Sequence, residues 1–335
     1  MPPMPAIRID GLRKQFGEFV AVQGASFQVA EGENFGLLGP NGAGKSTLIR
    51  MLTTLLEPTS GTAQVAGHDV RREADSVRRA IGVIPQALTS DPDLTAAENL
   101  DFYAKLYSVP ASPRRRMVDE LLASVDLLEW RDRMVGTFSG GMRRRLEIAR
   151  SLMHQPRILF LDEPTTGLDP VTRLHMWDMI RRLKARTGVT LLLTTHYMEE
   201  ADQLCDQIAI FDHGRVVAQG SPARLKTQVR ATQTIEVEFV ASPPGWVDTV
   251  RRLPGVAAVR MGKGACVIES RDRMATVSAL ADAARRAAVT IPSLVVKGNT
   301  LEDVFIEYTG RELRDAADGK RRLDVRHLYD RPSHA

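Results

Sequence analysis

The segment that most constrains this chain of 335 residues is the glycine-rich stretch GPNGAGKS at residues 39–46. It fits the pattern G-x-x-x-x-G-K-[ST], and it stands between an apolar segment at 34–38 and a helix-like segment. In this pattern, backbone N–H groups turn inward around phosphate oxygens, and the following helix points its positive dipole end at them. The sequence therefore predicts a strand at Asn34–Leu38, a phosphate-binding loop, and a helix from Lys45 to about Leu56.

Two side chains of this loop have the chemistry that a bound phosphate requires. Lys45 is expected to reach the β- and γ-phosphates, and Ser46 is expected to bind Mg²⁺ through its hydroxyl. A chance match in a glycine-rich loop is the alternative interpretation. The strand before the loop and the helix after it favour phosphate binding.

Apolar runs recur along the chain and alternate with helical patterns. Residues 95–128 have helical periodicity, interrupted at Pro110 and Pro113, and residues 6–30 resemble short β segments. A hairpin is expected around His213-Gly214. The other strand-like runs are IGVIP (81–85), RILFLDE (157–163), VTLLLTT (189–195), QIAIFD and RVVAQG. Buried strands that alternate with helices indicate an α/β fold with a parallel sheet covered on both faces.

Charged residues follow two of these predicted strands. Asp162 is expected to hold Mg²⁺ through water, and Glu163 is expected to point the other way and polarise an attacking water. Alone, this acid pair could simply cap the next turn. His196 follows the 189–195 run, and we expect it to sense the γ-phosphate and orient Glu163, because α/β sheets place ligands at the carboxyl edge. A histidine in that position can also have a purely structural role.

A second anion site is predicted at the start of another helix. Ser139 is a good helix cap, and Gly140 and Gly141 leave backbone N–H groups uncovered. Since the loop at 39–46 already binds one terminal phosphate, the helix is expected to complete the site of a second copy of the chain. The next residues, Arg143–Arg145, point about 100° apart around the helix, so we interpret them as a solvated, partly packed face.

Taken together, residues 5–225 resemble the nucleotide-binding subunit of an ATP-binding cassette (ABC) transporter. The glutamine loop GVIPQ (82–86) and the D-loop GLDP (167–170) complete the motifs of that family in their usual order. The resemblance implies a P-loop NTPase fold with a RecA-like core, an antiparallel β subdomain and a helical subdomain. It also implies two subunits that close head-to-tail on two Mg-ATP molecules. The loop residues that would bind ATP are Gly39, Pro40, Asn41, Gly42, Ala43, Gly44, Lys45, Ser46 and Thr47.

The resemblance assigns roles to residues outside the phosphate loop. Gln86 would reach Mg²⁺ and relay closure to membrane subunits, Asp169 would contact the partner copy, and Phe16 would stack on adenine. The sequence departs from the usual pattern at Met142, where Gln is most frequent, and at Phe138, where Leu is frequent. Phe16 replaces the more common Tyr and keeps the stacking face. The implied catalytic set is Lys45, Glu163 and His196; the metal set is Ser46, Gln86 and Asp162; Ser139, Gly140 and Gly141 would reach the partner's ATP.

The pattern changes after about residue 230. Strand-like runs at 234–240, 256–261, 265–270 and 291–297 surround an Ala-rich helical segment at 274–288. We therefore expect an ATP-binding domain at 1–230, a small α+β domain at 231–310, and a charged, disordered tail at 311–335. The small domain could bind a regulatory ligand or strengthen the dimer.

Two segments narrow the resemblance further. SGGMRRR (139–145) and LEDVFIEYTGRELRD (301–315) resemble the daunorubicin-resistance type of exporter ATPase. That type implies a separate membrane permease and export of a drug, an antibiotic or a lipid-like molecule.

Composition favours the same class. The charges nearly balance, with 45 Lys+Arg and 41 Asp+Glu, which does not require a nucleic-acid partner, although the basic pI permits one or an acidic membrane surface. With the resemblance, no nucleic-acid partner is expected. The N-terminus lacks the features of a signal peptide, and the longest apolar run is too short to span a bilayer. Together with the resemblance, these observations predict a location at the cytoplasmic face of the membrane, through the permease. The alternative is a soluble ABC ATPase that acts on ribosomes or nucleic acid; the single phosphate loop and the absence of sustained heptads argue against it.

Overall fold

The computed structural model describes residues 4–229, 233–240, 243–261 and 266–310. The contacts divide the chain into two compact units, and the second of these is Ala223–Glu307. The strands before it are β1 (Ile7–Phe16), β2 (Phe19–Val29), β3 (Asn34–Leu38), β4 (Ser60–Val65), β5 (His68–Asp69), β6 (Ile81–Ile84), β7 (Ile158–Asp162), β8 (Thr190–Thr195), β9 (Gln207–Asp212) and β10 (Arg215–Gly220). The helices before it are α1 (Lys45–Leu52), α2 (Ala74–Ala80), α3 (Ala96–Leu106), α4 (Ala111–Ser124), α5 (Gly140–Ser151), α6 (Pro170–Thr187) and α7 (Met198–Leu204).

A six-stranded sheet forms the centre of the first unit. Its strand order is β10-β9-β3-β8-β7-β6, and all neighbours are parallel except β10 and β9. Every residue of β3 and β8 is buried, as expected for a sheet covered on both faces. The register aligns Leu38 with Thr195 and Asp162 with Thr194. The carboxyl ends of β3, β7 and β8 therefore meet at one edge.

A second sheet in this unit is antiparallel, with the order β2-β1-β4-β5. Its apolar face shares a core with the parallel sheet and with α1. The rings of Phe27 and Phe35, one from each sheet, stack with their centroids 4.9 Å apart. The predicted α/β fold with an antiparallel β subdomain is confirmed.

Two helix boundaries differ from the sequence prediction. Helix α1 ends at Leu52 rather than Leu56, because the Thr53 hydroxyl donates back to Ile49 O at 2.9 Å and Thr54 adopts a left-handed conformation with φ of 63°. The helical segment at 95–128 breaks before Pro110, as expected, but Pro113 lies in the first turn of α4. First-turn N–H groups have no partner within a helix, so proline is tolerated there. No helix among the described residues combines the length and apolarity needed to cross a membrane.

The second unit is an antiparallel sheet with helices. It contains α8 (Pro222–Gln228), β11 (Gln233–Val240), α9 (Trp246–Arg251), β12 (Val256–Met261), β13 (Cys266–Ser270), α10 (Arg273–Arg286), β14 (Thr290–Lys297) and α11 (Leu301–Thr309). The sheet order is β12-β13-β11-β14, and its core includes Ile235, Trp246 and Leu280.

The second unit begins earlier than residue 231, the boundary expected from the sequence. The side-chain amide of Asn299 donates to Lys226 O at 3.0 Å and to Val229 O at 3.2 Å, and this ties the C-terminal end of α8 to the second unit. Leu225 of α8 is fully buried. The predicted tail at 311–335 lies outside the described residues.

Candidate functional site

The phosphate loop is held in a shape that only glycine allows at two positions. A Cβ atom at Gly44 would lie 2.3 Å from Ala21 O, and the φ of 105° at Gly44 disfavours any other residue. A Cβ at Gly39 would lie 2.2 Å from Phe211 O. Because Gly44 has no side chain to cap α1, the N–H groups of the first turn remain available to an anion.

Lys45 is folded back into the loop. Its side chain is 4% exposed, and Nζ donates to Gly39 O at 2.7 Å and to Pro40 O at 3.0 Å. Burial lowers the pKa of Lys45, and the charges of Glu163 and Asp162 act in the opposite direction. The two carbonyls thus hold the ammonium beside the place where the motif predicts a phosphate.

The sequence predicted that Asp162 and Glu163 point to opposite sides of the sheet, and this prediction is wrong. Ser46 Oγ donates to Asp162 Oδ1 at 3.2 Å, and Lys45 Nζ lies 3.7 Å from Glu163 Oε1. Both carboxylates therefore face α1. The reason is local: Glu163 leaves the extended conformation, with φ of 50°, so the alternation of a strand stops at Asp162.

The Glu163 carboxylate is the point where the predicted residues converge. Its Oε2 accepts from Gln86 Nε2 at 3.3 Å and from Thr166 Oγ1 at 3.0 Å. His196 Nδ1 lies 3.5 Å from the same oxygen. Residues from four parts of the chain thus surround one carboxylate that is 6% exposed.

This environment favours the ionised form of Glu163. The adjacent His196 imidazole lowers the pKa of Glu163 most, and the charge of Lys45 lowers it further, while burial raises it. The carboxylate is therefore charged at neutral pH.

Ser46 and Asp162, two of the three predicted Mg²⁺ ligands, lie together and offer the oxygen atoms that Mg²⁺ prefers, whereas Gln86 directs its amide Nε2 to Glu163. Ser46 Oγ and Asp162 Oδ1 are in direct contact, and Asp162 Oδ1 also accepts from Thr194 Oγ1 at 2.6 Å. Mg²⁺ is usually bound through one or two protein oxygens together with substrate phosphates and water. The donor set fits such an ion.

Ser139, Gly140 and Gly141 lie apart from the Lys45–Glu163 cluster. Ser139 caps α5, with its Oγ accepting from Met142 N at 3.2 Å. Ser139 and Gly141 line a cavity of about 360 Å³. A Cβ at Gly140 would meet no atom within 4 Å, so open space surrounds this first residue of the helix.

Phe16 and Asp169 are also outside that cluster. Phe16 is 47% exposed, and Lys14 Nζ lies 5.1 Å from the centroid of its ring. Asp169 caps α6, accepting from Thr172 N at 3.0 Å and from Thr172 Oγ1 at 2.5 Å.

The interpretation of the three arginines as a solvated face is wrong for Arg144. Arg144 is 5% exposed, and it donates to Pro85 O and Gln86 O. Arg143 and Arg145 are half-buried, and each also donates to backbone carbonyls. A loop from elsewhere in the chain covers the helix, and the spacing within the helix does not reveal that contact.

Two threonines of the site were missed by the sequence analysis. Thr194 Oγ1 donates to the Asp162 carboxylate and accepts from the Glu163 backbone N at 3.0 Å, so one hydroxyl contacts both residues of the acid pair. Thr166 donates to the Glu163 carboxylate. A polar residue within the fully buried strand β8, at the same level as Asp162, was the available signal for Thr194.

Comparisons with known proteins agree with this arrangement. Residues 22–166 match the family model described as ABC transporter. The chain is 41% identical to the daunorubicin resistance ATP-binding protein DrrA3 of Streptomyces coeruleorubidus, over 93% of this chain and 99% of that protein. It is also 41% identical to the Nod factor export ATP-binding protein I of Ralstonia nicotianae, over 93% of this chain and 96% of that protein.

Solved structures give the same result for the fold. The cbiO1 subunit of an ABC transporter complex from Clostridium perfringens superimposes with a TM-score of 0.62 at 27% identity, covering 67% of this chain and 91% of cbiO1. A dimeric ATP-binding cassette in a post-hydrolysis state, bound to ADP and Pi, superimposes with a TM-score of 0.58 at 26% identity. That match covers 64% of this chain and 98% of the cassette.

Proposed function

Since this chain belongs to the ABC transporter family and is an ATPase subunit, we propose that two copies close on two Mg-ATP molecules and drive a separate membrane permease. The observation that carries the proposal is the Glu163 carboxylate, which Lys45, Gln86 and His196 approach from three directions. It stands beside Ser46 and Asp162, a suitable pair for Mg²⁺.

In the proposed reaction, Lys45 exchanges the carbonyls of Gly39 and Pro40 for the β- and γ-phosphate oxygens. Mg²⁺, when bound to Ser46 and Asp162, neutralises phosphate charge. Glu163 accepts a hydrogen bond from the attacking water. The contacts with Gln86 and Thr166 hold the Glu163 carboxylate in place, so it can orient the water. Phosphoryl transfer through a loose transition state needs little more than this positioning.

The remaining motif residues are proposed to contact the partner copy or the adenine of ATP. Ser139, Gly140 and Gly141 would bind the γ-phosphate of the partner's ATP at the N-terminus of α5. The open space at Gly140 supports this role, because a ligand could approach the backbone closely there. Asp169 would contact the partner copy, and Phe16 would stack on adenine.

The permease is proposed to dock beside Gln86. Leu88, Phe102 and Leu106 are 41%, 56% and 62% exposed, which provides apolar area near the glutamine loop and on α3. The cargo class is proposed from the relatives: daunorubicin resistance and Nod factor export proteins suggest export of a drug, an antibiotic or a lipid-like molecule.

The test is a pull-down of the tagged protein from its native membranes in mild detergent, followed by mass spectrometry. A multi-spanning protein in near-equal amount is expected. The Phe102→Ser variant should recover less of this membrane protein. The matched control is Leu55→Ser, which changes another apolar residue, 71% exposed, and should recover as much as the wild type. Ribosomal proteins or nucleic acid without a membrane protein would move the function to the soluble alternative.

The second unit is proposed to strengthen the dimer. Because the second unit begins at Ala223, a truncation that removes this unit should remove α8 together with its four-stranded sheet. A chain ending at residue 221 is expected to dimerise more weakly on ATP than the full chain. Equal dimerisation in light scattering would leave ligand binding as the role of this unit.

A further inference from the structure

The second arginine of the 143–145 triplet contacts the glutamine loop directly. Arg144 Nη1 donates to Pro85 O at 2.6 Å, and Arg144 Nη2 donates to Gln86 O at 2.7 Å. The planar guanidinium thus spans two successive carbonyls, a geometry that a lysine ammonium does not reproduce. Burial disfavours a charge at this position, so an arginine here requires these acceptors.

One helical turn further along α5, Glu147 binds Thr89 and Ser90, which follow the glutamine loop in the chain. Glu147 is 2% exposed, and its Oε1 accepts from Thr89 N at 2.7 Å and from Ser90 N at 2.6 Å. Its Oε2 accepts from Thr89 Oγ1 at 2.8 Å. Arg150 completes the arrangement, donating to Glu147 Oε2 at 2.6 Å and to Thr89 O at 2.9 Å.

A buried cation and a buried anion of α5 therefore hold both ends of residues 85–90, through carbonyls at one end and N–H groups at the other. Most of these contacts are with main-chain carbonyl and N–H groups, so they fix the path of the backbone in this segment. Within this loop, Gln86 extends its side chain to Glu163. The orientation of Gln86 toward the carboxylate thus depends on α5.

We propose that Arg144 and Glu147 are positioning residues, which make the glutamine loop and α5 move as one body. The inference rests on the proposed function, in which Ser139 at the start of α5 binds the partner's ATP while Gln86 serves the chain's own ATP. Each chain then connects the two nucleotides of the dimer through one rigid segment. Binding at one site aligns Gln86 at the other.

The first test measures the contacts, in the full-length chain without nucleotide. Glu147→Ala removes the acceptor of two N–H groups, so amide hydrogen exchange at Thr89 and Ser90 should become about tenfold faster or more. The matched control is Arg145→Met, one residue from Arg144, because Arg145 donates to Val125 O instead of the glutamine loop. If the exchange rate at Thr89 and Ser90 is unchanged in Glu147→Ala, or rises equally in the control, the proposed positioning role of Glu147 is overturned.

The second test measures the coupling through steady-state hydrolysis over a range of ATP concentrations. Arg144→Met should lower kcat about tenfold with KM changed less than twofold, and its Hill coefficient should fall toward 1. Arg144→Lys retains the charge but loses the planar guanidinium that spans two carbonyls. Its kcat and Hill coefficient should lie between those of the wild type and of Arg144→Met. A purely structural role would reduce the active fraction and hence the apparent kcat, but it would leave the Hill coefficient unchanged.

The outcomes separate this inference from the proposed function. Suppose that the wild type hydrolyses ATP with a Hill coefficient above 1 and that Arg144→Met has the same rate and the same Hill coefficient. The coupling is then overturned, while the proposed ATPase activity and dimer stand. A wild-type Hill coefficient of 1 also overturns the coupling. A wild type that neither hydrolyses ATP nor dimerises overturns the proposed function, and the coupling with it.

Discussion

Lys45 Nζ lies 3.7 Å from Glu163 Oε1, and both side chains are almost entirely buried. A lysine of the phosphate loop and the acid that follows β7 therefore neutralise each other in the nucleotide-free chain. Removing one partner of a buried pair leaves an uncompensated charge. This relationship makes the consequences of changing Glu163 measurable both in catalysis and in stability.

Glu163→Gln should bind ATP, lose hydrolysis, and accumulate as a closed dimer. The amide retains the shape of the side chain but has no charge with which to polarise water, so kcat is expected to fall by about 100-fold or more. Phosphate release from Mg-ATP, together with light scattering, gives both readouts. The matched control is Glu199→Gln, the same substitution on the exposed face of α7. Hydrolysis by Glu163→Gln at the wild-type rate would remove Glu163 from its proposed role.

The stability of the nucleotide-free chain should depend on pH through Glu163. Its pKa in the folded protein lies below the ordinary value of 4.5, first because of the adjacent His196 imidazole. An acid with a lowered pKa stabilises the fold above its unfolded pKa, and this contribution disappears as the pH falls through the folded pKa. The difference in unfolding free energy between wild type and Glu163→Gln should therefore be largest near pH 7 and shrink on acidification. A difference that grows on acidification would contradict the assigned direction.

Gly140→Ala should separate dimerisation from folding. The added Cβ meets no atom of the chain within 4 Å, and alanine favours helix over glycine, so the melting temperature should not fall. If a partner's phosphate approaches this backbone, the methyl group should weaken ATP-driven dimerisation by about tenfold, which corresponds to about 1.4 kcal/mol. Light scattering in the Glu163→Gln background measures the dimer. A fully stable variant that dimerises normally would exclude a close ligand at Gly140.

Thr194→Val should lower ATP hydrolysis about tenfold, because it deletes a hydroxyl that contacts both acids. Valine has the same shape, so the loss reports the hydrogen bonds rather than a cavity. Thr194→Ser keeps the hydroxyl and should remain within about threefold of wild type. Titration with Mg²⁺ should show that the valine variant requires a higher concentration for half-maximal rate. Equal loss in the serine variant would point to packing instead.

The residues that converge on Glu163 could be predicted because parallel strands bring their carboxyl ends to one edge. Lys45 and His196 each come after such a strand, as Glu163 does, so the local pattern was enough to group them. The sequence also predicted all strands of the central sheet, since buried strands appear as apolar runs.

The contacts of α5 with the glutamine loop could not be predicted in this way. Arg144 and Pro85 are 59 residues apart, and nothing in the helical period of α5 distinguishes a residue covered by a loop from one facing water. The early start of the second unit could not be predicted either, because it depends on Asn299, a partner of α8 that is distant in sequence.

The hydroxyl of Thr194 is both a donor to Asp162 and an acceptor from the backbone of Glu163. With both functions used, it has no freedom to reorient without releasing one of the acids. Thermal motion of the Asp162 carboxylate and of the Glu163 backbone should therefore be correlated. Under the proposed function, in which Asp162 holds Mg²⁺ and Glu163 orients the attacking water, a displacement at one acid would reach the other through this one side chain.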